Sequence, residues 1–149
     1  MPIPKTPLLT ADIIIELTDL PDRPIVLIER KNPPHGLALP GGFVDEGEPI
    51  EVAAVREAME EVCLQVELIT LLGLYSDPGR DPRGHTVTAT YIAQANGTPQ
   101  AADDAAKVIV TRLDQLPDDL VFDHALMLQD YMHWKATGNV APLRYIEAK

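Results

Sequence analysis

Residues 49–62, PIEVAAVREAMEEV, constrain this chain more than any other segment. The spacing predicts a helix, with Pro49 at its first position, where the missing N–H has no intrahelical partner to lose. Glu57, Glu60 and Glu61 fall within an arc of roughly 100° at the helical period. Val52, Val55, Met59 and Val62 gather on the other side, and this stripe is expected to pack against a sheet. Small Ala53 and Ala54 precede the acids by one turn and leave room above them. Like charges three and four residues apart destabilise an isolated helix by about 0.2–0.5 kcal/mol per pair. A patch of that kind calls for a positively charged partner, or else for open water.

The flanking segments supply the sheet. DIIIEL (12–17) and PIVLIER (24–30) are β-branched runs around a turn-like DLPDR, and are expected to be adjacent strands. LALPGGFV (37–44) reads as extended and broken at PGG. QVELITLLGLYS (65–76), HTVTATYIAQA (85–95) and KVIVTRL (107–113) read as further strands, and HALMLQDYMHWKATG (124–138) as an amphipathic helix ended by Gly138. Strands on both sides of one internal helix, with a second helix near the end, predict an α/β fold with a mixed sheet covered on both faces.

The chain has 149 residues, which fits one domain over 1–149. It carries 12 basic and 23 acidic residues, a net charge of −11, which argues against a general nucleic-acid partner. No run of about 18 apolar residues predicts a membrane span, and the N-terminus lacks the pattern of a signal peptide. A single cysteine, Cys63, cannot pair internally, in keeping with a reducing cytoplasm.

What lies before the acidic helix changes its meaning. Gly41-Gly42 allows close backbone approach. Five residues separate Gly42 from Glu48 and seven more separate Glu48 from Arg56-Glu57, followed by Glu60-Glu61 and Leu64. GGFVDEGEPIEVAAVREAMEEVCL thus resembles the signature of the Nudix hydrolases at seven positions, Gly42, Glu48, Arg56, Glu57, Glu60, Glu61 and Leu64. Two positions depart from it: Ala58 is small for an apolar slot, and Cys63 replaces a glycine. A non-glycine in the left-handed conformation common after a helix costs about 1 kcal/mol. Either Cys63 carries that strain or the helix ends differently, and its thiol is expected to be buried.

The resemblance implies a Nudix-type α/β/α sandwich that hydrolyses a nucleoside diphosphate linked to another group. It implies Mg²⁺, with Mn²⁺ possible, held by Glu57, Glu60, Glu61 and the backbone carbonyl of Gly41. Arg56 is expected to orient Glu48 or Glu60. The base can come from the box or from a loop elsewhere; in NGTPQAADDA (96–105), Asp103 and Asp104 are candidates to approach the metals or position the water, a plain polar turn being the alternative.

In this acidic protein, SDPGRDPRGHTVT (76–88) concentrates Arg80, Arg83 and His85, and arginine suits bidentate phosphate recognition. The loop is expected to contact phosphate; Arg30 is a further candidate. Pro78 follows the box as in the ADP-ribose pyrophosphatase branch, which implies cleavage of ADP-ribose to AMP and ribose 5-phosphate by a homodimer. Two alternatives stand: a hydrolase of oxidised nucleoside triphosphates, and a non-catalytic domain that senses ADP-ribose. His124 reads as a helix start or a satisfied hydrogen bond, and Tyr131 and Trp134 as core or dimer contacts.

Overall fold

A strand with both faces covered organises the protein: β1 (Leu8–Leu17) is buried from Thr10 onward. Its side chains alternate between faces. Ala11, Ile13, Ile15 and Leu17 enter one hydrophobic core, and Ile14 enters the other. This is a computed structural model, and it describes residues 1–145. The last four residues of the expected 1–149 domain lie outside the described residues.

One edge of β1 pairs in parallel with β6 (Thr86–Ala95) along its full length, from Leu8↔Thr86 to Leu17↔Ala95. The strand β5 (Glu67–Tyr75) runs antiparallel outside β6. The other edge of β1 is divided. Glu16 pairs with Ile25 of β2 (Ile25–Arg30), while Thr10, Ala11 and Asp12 pair with Phe43, Gly42 and Gly41 of β4 (Gly41–Phe43). β3 (Leu37–Ala38) and β7 (Ala105–Thr111) pair with β2. Parallel and antiparallel ladders thus coexist in one seven-stranded sheet. The predicted strand pair 12–17 and 24–30 is present, but the two meet only at the Glu16–Ile25 end.

Helix α1 (Ile50–Val62) covers the face carrying Ile13 and Ile15, and α2 (His124–Thr137) the face carrying Ile14. The result is the expected mixed sheet between helices. Tyr131 is fully buried and stacks on Trp134 with ring centroids 6.3 Å apart, so Tyr131 belongs to the core. Gly138 closes α2 at φ 80°, as predicted.

Three local expectations are corrected. Pro49 is the extended N-cap residue, and the helix begins at Ile50. Cys63 does adopt the left-handed conformation, with φ 59° and its N–H bonded to Met59 O at 3.1 Å, but its side chain is exposed rather than buried. The orientation of α1 also differs from the wheel. Val52 and Met59 are 53% and 43% exposed, whereas Ala53, Ala54, Ala58, Glu61 and Val62 are buried. The inward face is an alanine face flanked by carboxylates. Small side chains let the helix axis approach the sheet, and only that approach brings the acids to the β4 backbone.

Candidate active site

The close approach is made by the glycine pair. A Cβ on Gly42 would stand 2.5 Å from the Glu57 carboxylate, and one on Gly41 would collide with Ala11 O and the Asp12 carboxylate. No side chain fits at either position without displacing an acid or the neighbouring strand. The Gly41 N–H donates to Glu61 Oε1 at 2.7 Å, across the helix–strand junction. Glu61 is only 3% exposed. Burial pushes its carboxyl up to about 8, with help from the charges of Glu57, Asp104 and Asp12, while the Gly41 N–H pulls the other way. Burial also raises Glu57, against the opposing effect of Arg56.

Arg56 organises the remaining acids. Its Nε and Nη2 donate to Glu48 at 2.7 and 2.8 Å, in the bidentate geometry that favours arginine over lysine. Its Nη1 donates to Glu57 Oε1 at 3.0 Å and to Glu60 Oε2 at 3.1 Å, and Nη2 also reaches Phe43 O at 3.1 Å. These bonds hold the Glu48 carboxyl down at about 2. Arg56 therefore joins the loop before α1 to the helix and fixes one Glu57 oxygen. Glu60 stands at the exposed outer end of this network, outside the pocket lined by Glu61.

That pocket is a space of about 80 Å³ lined by Gly41, Gly42 and Glu61 together with Arg30, Arg83 and Phe122. Asp104 also lines it and accepts a 3.1 Å hydrogen bond from Asn32 Nδ2. Asp103, left-handed at φ 49°, does not line it. His85 lies outside as well, its Nε2 at 3.0 Å from Ser76 O; it lines an adjoining groove of about 510 Å³ that shares Arg83 and includes Phe43.

Arg80, expected as a phosphate contact, lines the same pocket, but it is buried and its guanidinium is engaged within the protein. Nε and Nη2 grip both Asp123 oxygens at 2.9–3.1 Å, and Nη1 donates to Thr86 Oγ1 at 2.6 Å. It ties the 76–88 loop to the start of α2. Arg83 follows the expectation more closely: Asp81 holds one side of it, and 39% of its side chain is exposed.

Four residues at the site were not singled out by the sequence reading: Asp12, Asp81, Phe122 and Asp123. Asp12 accepts from Thr88 Oγ1 at 2.7 Å and faces His124 Nε2 at 3.6 Å. Burial works against its charge, yet His124, Thr88 and Arg80 together hold its carboxyl below the usual range. His124 Nδ1 accepts the Leu39 N–H at 2.9 Å, which leaves the ring proton on Nε2. The satisfied hydrogen bond anticipated for His124 is therefore present, and it anchors the strand segment two residues before Gly41. One signal for Asp12 was available: an acid inside a mostly apolar strand covered on both faces has little access to water, as buried Glu16 of the same strand also shows.

The donors suit a hard divalent cation. Glu57 and Glu61 offer carboxylate oxygens beside a backbone too close for any Cβ. Among the described residues no three acidic, histidine or cysteine side chains converge in a preformed cage.

Comparison with known proteins gives the same direction. Residues 7–131 match the family model described as the NUDIX domain. The ADP-ribose pyrophosphatase of Methanocaldococcus jannaschii is 46% identical over 132 residues, covering 87% of this chain and 75% of that protein. The ADPR responsive transcriptional repressor NtrR of Acinetobacter baylyi is 34% identical over 131 residues, covering 83% of this chain and 52% of the repressor; the chain spans about half that relative's length. The NUDIX domain of Shewanella oneidensis NrtR, solved with ADP ribose, superposes with a TM-score of 0.74 at 28% identity over 87% of this chain and 88% of that one. Since the family match runs unbroken from the central strand through the glycine pair and the acidic helix into α2, the chain belongs to the Nudix family.

Proposed function

We propose that this protein hydrolyses the diphosphate bond of ADP-ribose, giving AMP and ribose 5-phosphate with Mg²⁺ or Mn²⁺. The observation that carries this reading is one juxtaposition: Glu61 and the glycine pair line the same pocket as Arg30 and Arg83. Oxygen donors for a cation share one pocket with guanidiniums for an anion, a combination suited to a metal-bridged diphosphate. The 46% identical pyrophosphatase supports ADP-ribose as the substrate. The pocket of about 80 Å³ suits only the charged centre of such a molecule, and the adjoining groove of about 510 Å³ at Phe43, Arg83 and His85 has room for a larger part.

In this reading Glu57 and Glu61, with Gly41 O and with Glu60 at the outer edge, hold the cation. Bound there, it would neutralise phosphate oxygens and lower the pKa of water. Arg56 keeps Glu57 in place, and Glu48 keeps Arg56 in place. Arg30 and Arg83 hold the phosphate oxygens. Asp104, within the pocket lining, is the loop acid placed to take a proton as water attacks phosphorus and the bridging P–O bond breaks. The reading includes a homodimer in the cytoplasm; among the described residues no helix is long and apolar enough to cross a membrane.

A second reading is favoured by one relative: an ADP-ribose sensor without turnover, as the A. baylyi repressor's name suggests for that protein. Glu57, Glu60 and Glu61 are all present here, which favours catalysis. A panel of ADP-ribose, other nucleotide sugars and oxidised nucleoside triphosphates, with and without chelator, separates the readings. Metal-dependent AMP and ribose 5-phosphate from ADP-ribose supports the proposal. Diphosphate released from a triphosphate contradicts it, and tight ADP-ribose binding with no products supports the sensor.

A further inference from the structure

Phe122 immediately precedes the N-cap of α2 with φ 57°, in the left-handed region. A bulky residue is a genuine outlier there, because its Cβ crowds the carbonyl, and such strain persists only where the surroundings enforce it. What surrounds Phe122 is unusual in kind. The Arg30 and Arg83 guanidinium carbons lie 5.1 and 5.3 Å from its ring centroid, and that of Arg80 lies 6.0 Å away. Arg83 is also 5.2 Å from the ring of Phe43. These distances are within the range of cation–π attraction.

The three arginines are not equivalent. Arg80 is locked onto Asp123 and Thr86. Arg83 leans on Asp81 but stays partly exposed. Among the described residues Arg30 has no carboxylate within ion-pair distance; Pro34 O takes its Nε at 2.9 Å and Pro33 O lies 3.5 Å from its Nη2. A carboxylate in place of Phe122 would gather these cations and cancel them. An aliphatic side chain would pack without attracting them. An aromatic ring attracts guanidiniums through its face while leaving their charge available to a ligand. Partial burial, and after it the neighbouring charge of Arg83, lower the Arg30 pKa.

We propose that Phe122 is a positioning residue, whose ring, presented by a strained left-handed backbone, holds Arg30 and Arg83 together as the phosphate-binding wall of the pocket. The assignment of phosphate to Arg30 and Arg83 rests on the function proposed above; the packing of their guanidiniums on the Phe122 ring does not.

The test compares Phe122→Leu, Phe122→Gly and Phe122→Tyr by calorimetric titration with inorganic diphosphate in Mg²⁺ buffer, alongside ADP-ribose kinetics and thermal melting. Loss of the ring is expected to weaken diphosphate binding about tenfold and to raise KM by a similar factor with kcat within about twofold, while Phe122→Tyr stays near wild type. Phe122→Gly, which relaxes at positive φ, is expected to melt well above the titration temperature, so its loss of affinity cannot be blamed on unfolding. Wild-type affinity in the Leu and Gly variants, no diphosphate binding by wild type, or a Tyr variant as weak as Leu would each overturn the proposal. The expected binding pattern in an enzyme that leaves ADP-ribose intact supports the Phe122 clamp and removes only the choice of substrate.

Discussion

The Gly41 N–H and the Glu61 carboxylate meet at 2.7 Å, where the strand bearing the glycine pair touches the helix bearing the acids. One contact thus joins α1 to the sheet and fixes an oxygen of a buried acid in the site. Replacing Glu61 by Gln keeps an acceptor for Gly41 but removes the charge. Glu61→Gln is expected to lower kcat at least about 100-fold with the fold retained by circular dichroism. Unchanged turnover would take Glu61 out of the mechanism.

The same acid gives a pH signature in chelator. Its folded carboxyl sits at about 8 against an ordinary 4.5, so the native state keeps a proton that the unfolded chain has released. Its contribution to stability therefore falls as pH rises from about 4.5 to about 8. Glu48 has the opposite sign: held at about 2, its contribution is present above 4.5 and fades as pH falls toward 2. Between about pH 5 and pH 8 the Glu61 effect operates. Melting in chelator is expected to drop across that window in wild type and to drop less in Glu61→Gln; equal slopes would contradict the assignment.

The two loop arginines are expected to separate cleanly. Arg80→Ala strands Asp123 and removes a neighbour of buried Asp12, and is expected to destabilise by about 3–5 kcal/mol in a denaturant titration. Arg83→Ala also removes the partner of a buried carboxylate, Asp81, whose side chain is 1% exposed, so stability is expected to fall here too and the separation lies in KM, which rises only for Arg83→Ala. A stable Arg80→Ala with a raised KM would restore Arg80 as a ligand contact.

How far the sequence reaches is clearest at this loop and at α1. SDPGRDPRGHT shows that arginines and acids alternate, but spacing along a loop does not tell which arginine turns inward; that is decided by Asp123, 43 residues away in the chain. Glycine, acid and arginine spacing in the box was legible because one helical turn and one close backbone approach set it locally. The rotation of α1 was not, because a wheel weighted by hydrophobicity favours Val52 and Met59, whereas the sheet selects the alanine face that allows contact with Gly42. Strand identities were legible from β-branched runs. The split pairing of β1 was not, since it depends on which distant segment takes each part of one edge.

Cys63 offers an independent check on backbone strain. It is exposed, left-handed at φ 59°, and stands where the family signature has glycine. Cys63→Gly is expected to raise stability by about 0.5–1 kcal/mol with kcat unchanged, as measured by chemical denaturation. A loss of stability would mean that the thiol makes a favourable contact that outweighs the strain.

The central claim is that the inward-turned Glu57 and Glu61 form a cation site. Mn²⁺ titration followed by electron paramagnetic resonance, on wild type and Glu61→Gln without substrate, tests it most directly. The expected result is saturable Mn²⁺ binding in wild type, weakened at least about tenfold in the variant. Equal Mn²⁺ affinity in the two proteins would contradict it.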